Sequence, residues 1–447
     1  MNLNLKAKIY IFFIFIFLIV IFFISISLLT KSFYFRNLTT IDQKVFIKKY
    51  LLPWKAKKEK NNKNFYLEKL DNEIEFKKSL KKIKYKEKIE IQLENNLRLN
   101  KYTYLTGFET GISNSFPGSG YIDFYKDKFI ILSSRGILGY GTMENNKFSF
   151  NQIENNIQQF IGKSQFIKHK RFSIKDLKIH NNKIFVSYTD EIKDDCWNTS
   201  VIYSDLNFSK INFKKLFSPN ECIHSINNED NEFNAMQSGG RIVGINNENI
   251  ILSTGEFRSR YLAQNINSVN GKLIKINTIN SNYEIISRGH RNVQGLLYDN
   301  DENYLLFTEH GPAGGDEINL LDFNKQSLNN FGWPIASYGY HYSDKLDISR
   351  KNKYPFLKSH SLYGFNEPLK YFTPSIGISE IIKIDTKSYV FSCLACKSIF
   401  FFKLDKKNKL YGLMKIKIGE RIRDMVFKEK KIYLFLEDTA SIGVIEL

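Results

Sequence analysis

Two short segments place arginines where they could share one task. GERIRDM puts Arg421 and Arg423 two residues apart, and GHRNVQG sets Arg291 beside Asn292. On an extended strand, residues two apart face the same side, so the guanidiniums of Arg421 and Arg423 would project together. A planar guanidinium binds a carboxylate through two parallel hydrogen bonds, and three such groups converging on one point would suit a polycarboxylate ligand. The alternative is that each pairs with a local acid such as Glu420 or Asp424. A third segment, EHGPAGGDE, places Gly311 and Pro312 where backbone carbonyls can turn outward, ahead of Asp316 and Glu317. Carbonyl, carboxylate and water oxygens together suit a hard cation such as calcium; read alone, the segment is as well a glycine-rich turn with solvated acids. His290 and His310 flank these stretches and are more readily structural hydrogen-bonding groups than bases.

The elements that must position these residues are short strands in a returning phrase: an apolar strand, a polar turn, and a second apolar strand ending in small or acidic residues. The phrase begins at residues 124, 179, 245, 298, 384 and 427, so successive starts lie 43 to 86 residues apart. A four-stranded propeller blade with its loops needs about 40 to 50 residues, and a sandwich would lack this longer repeat. The expected fold is therefore all-β, a six-bladed β-propeller over residues 96–447. SIGVIEL (Ser441 to Leu447) is expected to complete a blade begun near Tyr102 to Leu105, closing the ring and removing free sheet edges. Radial blades bring equivalent loops to one end of the axis. The rim is thus expected to gather Ser133 and Ser134, Asp190 and Glu191, Thr254 and Glu256, and Glu309 and His310.

Residues 9–30 carry no charge and are long enough to cross a bilayer as a helix. They are read as an uncleaved transmembrane signal anchor behind a cytoplasmic N-terminus of residues 1–8. Lys- and Asn-rich residues 31–95 are read as a partly helical stalk or linker whose lysines could also touch anionic lipid. This places the chain in an inner (cytoplasmic) membrane as a single-pass protein, with the propeller in the periplasm or outside the cell. The net charge of +19 raises nucleic acid as a partner, but no basic helix or aromatic RNA-binding signature accompanies it, and no nucleic acid is expected. Cys196 and Cys222 lie in polar segments of an exported domain, where either a disulfide or two unpaired thiols is open. Cys393 and Cys396 sit in an apolar run without a second CxxC or a helix start, and are read as buried core thiols.

The ordered blocks QSGGRIVG, STGE, GKLIKIN, GHRNVQG, EHGPAGGDEINLL, FGWP, TPSIG and GERIRDM resemble the soluble glucose/sorbosone dehydrogenases, also called aldose sugar dehydrogenases, from about Gln237 to the C-terminus. That resemblance implies a six-bladed propeller that uses pyrroloquinoline quinone (PQQ) and Ca2+ to oxidise a sugar or related alcohol, passing electrons to an acceptor the sequence does not identify. Arg291, Asn292, Arg421 and Arg423 match positions that hold the quinone. Gly311, Pro312 and Phe331 match carbonyl positions at the calcium, and Asp316 matches an acid beside the sugar. Two positions depart from the family: its catalytic histidine is Gln237 here, and a lysine near the cofactor is Ala395. A neutral amide is no general base near pH 7, so the resemblance also admits a catalytically impaired propeller that binds a sugar, a quinone or a protein.

Overall fold

The computed structural model describes residues 15–22, 24–25, 82–104, 119–144, 147–168, 171–324, 329–342 and 348–447. The chain divides into two compact units, Met1–Asp71 and Asn72–Leu447. In the first, the described residues 15–22 and 24–25 are helical. Among the described residues, no helix is long and apolar enough to cross a membrane. Most of the expected stalk and the remainder of residues 9–30 fall outside the described residues.

The second unit is a six-bladed β-propeller. Each blade opens with one of the six hairpins expected from the repeating phrase. Their innermost strands are Gly120–Tyr125, Ile174–His180, Gly239–Asn246, Val293–Asp299, Ile378–Asp385 and Ile422–Lys428, which define blades 1 to 6. These six strands touch one another in cyclic order around the axis. Blade 6 takes its outermost strand, Arg98–Tyr104, from the start of the unit, where Leu99 pairs with Ile445 and Tyr102 with Ile442. The ring is thus closed as expected, by hydrogen bonds between chain segments more than 300 residues apart.

The propeller begins before residue 96. Lys82–Gln92, read from its lysines as stalk, is a strand that pairs with Arg98–Tyr104 and, at its start, with Lys147–Gln152 of blade 1. Its charge misled the reading because an outer strand needs few buried side chains: Glu87, Ile89 and Glu90 are exposed.

The core lies between blades. Phe129 and Phe150 of blade 1 pack on Tyr433 and Phe435 of blade 6, and equivalent apolar layers separate blades 2 and 3, 3 and 4, 4 and 5, and 5 and 6. Each fully buried Leu, Ile or Phe contributes about 1.5–3 kcal/mol, so the blades cannot slide without losing many such contacts at once. Cys196 and Cys222 form a disulfide. Cys393 and Cys396 are also bonded, not core thiols. The amides of Leu394, Ala395 and Cys396 bind the carbonyls of Gly377 and Ile376, and that fold-back brings the two cysteines together.

Candidate active site

The axial chemistry starts with a repeated irregularity. In blades 2 to 6 the innermost strand shifts register near its start: between Ile174 and Asp176, Gly239 and Ile242, Val293 and Gly295, Ile378 and Ile381, and Ile422 and Asp424. A bulge of this kind re-aims the residue it leaves unpaired. Here Lys175, Arg241, Gln294 and Arg423 reach the axial cavity, and Glu380 reaches Arg241.

Deep on the axis, Arg241 Nη1 lies 2.9 Å from each of Asp176, Glu380 and Asp424. Its Nη2 and Nε donate to the carbonyls of Arg423 and Gln294 at 2.7 and 2.6 Å. Five blades, its own included, thereby meet at one guanidinium, and Asp424 also accepts from the Ile122 amide of blade 1 at 2.7 Å. One cation cannot balance three buried carboxylates. Burial, opposed by Arg241, pushes Asp176 up to about 7, and burial raises Glu380 well above its ordinary range. The cluster therefore holds protons near neutrality.

Above this plug opens a cavity of about 590 Å³, lined from all six blades. Arg421 Nε donates to Glu437 Oε2 at 2.8 Å, and Arg423 Nη2 to Glu437 Oε1 at 2.9 Å. The local-acid alternative is thus met in part, by a different acid: Glu420 pairs with Lys101, and Asp424 with Arg241. Although burial opposes it, the pair of guanidiniums, Arg423 foremost, holds the Glu437 carboxyl down at about 2. Two cations on one carboxylate leave a surplus of positive charge facing the cavity, and Arg171 and Arg291 add to it.

The other expected residues sort themselves by what their polar atoms already do. Arg291 donates to the His310 carbonyl at 2.9 Å and to Tyr342 Oη at 3.3 Å, with its guanidinium 5.4 Å from the Trp333 ring. Asn292 Oδ1 accepts from the Gly239 amide at 3.1 Å and from Gln294 Nε2 at 3.1 Å. Gln237 is buried on the cavity wall. The amide orientation that satisfies both neighbours sets its nitrogen 2.5 Å from Glu256 Oε1 and its oxygen 2.8 Å from Arg291 Nη2. Glu256 is wholly buried, and burial pushes it up to about 7.

Asp316 lines the cavity, with its carboxylate already engaged. Its Oδ1 accepts from the Gly311 amide at 3.1 Å, and its Oδ2 from the amides of Ile376, Gly377 and Ile378 at 3.0, 2.7 and 3.1 Å. These four bonds tie blade 4 to blade 5 and fill most of the carboxylate's acceptor sites. Gly311 and Pro312 do line the cavity, whereas Phe331 lines a much smaller void behind it, next to Gly311. The Phe331 ring packs on His290 and Phe307 in the core. His290 is structural, held by Ser287 at 2.7 Å and Glu309 at 3.1 Å. His310 reaches the cavity but gives Nε2–H to the Ile378 carbonyl at 2.6 Å, and burial holds it below its ordinary value. Of the rim pairs, Ser134 and His310 line the cavity. Ala395 is exposed, with its amide on the Ile376 carbonyl.

Arg171, Lys175 and Glu437 were missed. The sequence did carry a signal for the lysine: IKDL (Ile174 to Leu177) opens blade 2 as IRDM (Ile422 to Met425) opens blade 6, with Lys175 in the place of Arg423. Glu437 was hidden because it ends the partner strand, fourteen positions from Arg423.

The family described as Glucose / Sorbosone dehydrogenase matches residues 174–445, more than half of the chain and one blade more than the blocks quoted above. The aldose sugar dehydrogenase YliI of Escherichia coli (strain K12) is 30% identical over 215 residues, 44% of this chain and 53% of that protein. An uncharacterized protein of Synechocystis sp. is 30% identical over 217 residues, 42% of this chain and 50% of that protein. The chain spans about half the length of the curated relatives it matches. Among solved structures, a glucose dehydrogenase superposes with a TM-score of 0.61 at 20% identity, covering 78% of this chain and 99% of that one. The PQQ-bound form of an aldose sugar dehydrogenase from Streptomyces coelicolor gives 0.55 at 15% identity, covering 78% and 98%. Both likenesses are of fold.

Proposed function

The chain belongs to the glucose/sorbosone dehydrogenase family, and from that premise we propose that it is an exported, membrane-anchored dehydrogenase that oxidises an aldose sugar or related alcohol with pyrroloquinoline quinone and calcium. The observation that carries this reading is the cationic cavity: Arg171, Arg291, Arg421 and Arg423 stand against Glu437 and Asp438 around a space of about 590 Å³. That volume suits a small-molecule site, and the donor set suits a planar ligand with three carboxylates. When bound, the quinone supplies the two-electron oxidant for an alcohol. Arg421 and Arg423, whose carboxylate partner leaves guanidinium N–H groups to spare, would hold and orient it, with Arg291 and Asn292 opposite.

Calcium fits only with that ligand in place. Gly311 and Pro312 offer two carbonyls, Pro312's already accepting from Ser375 Oγ at 3.2 Å. Among the described residues no group of three or more His, Cys, Asp or Glu could hold a metal ion. Calcium takes six to eight oxygens, so the quinone and water would supply most of them. Uncharged residues 9–30 support the anchor and an extracytoplasmic propeller.

The test is to reconstitute the purified full chain with calcium and pyrroloquinoline quinone and to follow reduction of a dye across a broad panel of sugars and alcohols. Turnover is expected; its absence with quinone demonstrably bound would leave the second reading, a binding propeller. What favours that second reading is Gln237, an amide held between Glu256 and Arg291 where the family has its base.

A further inference from the structure

Blades 2 and 6 share one architecture and differ at one charge. In both, the residue left unpaired by the bulge points to the cavity: Lys175 between Ile174 and Asp176, Arg423 between Ile422 and Asp424. Ile174 pairs with Tyr188 as Ile422 pairs with Leu436, so Thr189 stands where blade 6 has Glu437. Arg423 therefore has a carboxylate, and Lys175 has a hydroxyl already accepting from the Ser173 amide at 2.8 Å. Lys175 Nζ donates to the Arg171 carbonyl at 2.7 Å.

The lysine shares the cavity wall with Gln237, and its stem packs on the segment that carries that residue. A Cβ at Gly240 would come within 2.3 Å of Lys175 Cβ, so the glycine three residues after Gln237, at φ +113°, makes room for the lysine stem. The charges facing the amine are Arg171 from its own blade and Arg423 from blade 6, both cations; Asp176 is turned to Arg241, and Glu437 is taken by Arg421 and Arg423. Burial and those two guanidiniums push the amine down to about 7, so near neutral pH much of it carries a free lone pair.

We propose that Lys175 is the proton acceptor of this site, standing in for the imidazole that Gln237 replaces. The inference rests on the dehydrogenase reading above. The substrate hydroxyl gives its proton to the neutral amine, and the hydrogen on the same carbon leaves as hydride with its two electrons to the ortho-quinone. The products are a carbonyl compound, the quinone reduced by two electrons and a lysine ammonium, which returns its proton to water. The competing groups are engaged: Asp316 by four amides, His310 by the Ile378 carbonyl at Nε2 and by Asn292 Nδ2 at 3.5 Å from Nδ1, and Glu256 by burial outside the cavity lining.

A readout independent of activity is the pH dependence of acetylation of the full chain by acetic anhydride, followed peptide by peptide by mass spectrometry. Lys175 should titrate with a midpoint near 7, against about 10 for exposed lysines; a midpoint above 9 overturns the proposal. In reconstituted protein, Lys175→Met should lose about 10²- to 10⁴-fold in kcat, while calorimetry shows quinone affinity within threefold of the parent. Lys175→Arg, always protonated, should lose turnover equally, and Gln237→His should restore it in the Lys175→Met background. Undiminished kcat in Lys175→Met or Lys175→Arg, or a tenfold loss of quinone affinity with kcat retained, makes Lys175 an anion-binding residue and overturns the assignment alone. No turnover in the quinone-bound parent overturns the dehydrogenase reading and the assignment with it.

Discussion

The propeller axis holds two assemblies of arginine and carboxylate in opposite proportion. In the plug, Arg241 serves Asp176, Glu380 and Asp424, and its side chain is 4% exposed with all three guanidinium nitrogens engaged. At the mouth, Arg421 and Arg423 share Glu437, and capacity remains. The difference teaches that residue type does not fix function here; stoichiometry and exposure do. Excess carboxylate around a buried cation makes a strut between blades, whereas excess guanidinium around a buried carboxylate makes an anion receptor. The two should also respond oppositely to pH. Asp176 and Glu380 in the plug bind protons more tightly folded than unfolded, so their contribution is fullest in acid, and that of Asp176 is lost as pH rises through about 7. Glu437 is held at about 2, so its contribution is present above its ordinary 4.5 and is lost as pH falls toward 2.

The largest break of this comparison is Arg241→Met. Removing the guanidinium that three buried acids share should cost about 3–5 kcal/mol of unfolding free energy at pH 8, and less at pH 5, where Asp176 and Glu380 can take up protons. Denaturant melts at the two pH values would check it; an equal loss at both would mean that the acids do not share protons.

Next in size is Glu437→Gln. It should remove about 2–3 kcal/mol at pH 7, together with the stability change the parent shows between pH 4.5 and 2, and it should tighten binding of a tricarboxylate such as pyrroloquinoline quinone because two guanidiniums lose their competitor. Stability falling while affinity rises separates receptor from strut. Arg423→Lys is smaller again: charge persists but the fork is lost, so affinity by calorimetry should weaken about tenfold, or about 1.4 kcal/mol.

Much of the fold was legible because strand hairpins are local: each of the six phrases is a contiguous run whose apolar pattern survives reading from one end. Arg291, Arg421 and Arg423 were legible for the same reason, since their spacing and glycine-rich contexts lie within seven residues. What was not legible depended on registers between distant strands. Glu437 becomes the arginines' partner only once Ile422 pairs with Leu436, and Arg241 meets Asp176, Glu380 and Asp424 only once four blades close a ring. The engagement of Asp316 was not legible either, because its acidity says nothing of the four amides that surround it. Lys82–Gln92 was misread because an outer strand can be as charged as a linker.

The finest test of the comparison is Asp176→Asn, which removes one acid from the plug and leaves its shape. Asp176 Oδ2 accepts from the Ile242 amide at 2.7 Å, a bond an asparagine carbonyl can keep, while Oδ1 loses its charge toward Arg241. At pH 5 the parent carboxyl is largely protonated, so the neutral amide should cost within about 1 kcal/mol, the worth of one ordinary hydrogen bond. Between pH 5 and 8 the parent must give up a proton that its fold retains more strongly than its unfolded chain, and its stability should decline; the asparagine has no such proton, and its decline should be shallower. The deficit of the variant should therefore shrink or reverse by pH 8. Parallel stability curves for variant and parent would show that Asp176 is ionised throughout, and that the plug, like the mouth, is an ordinary ion pair.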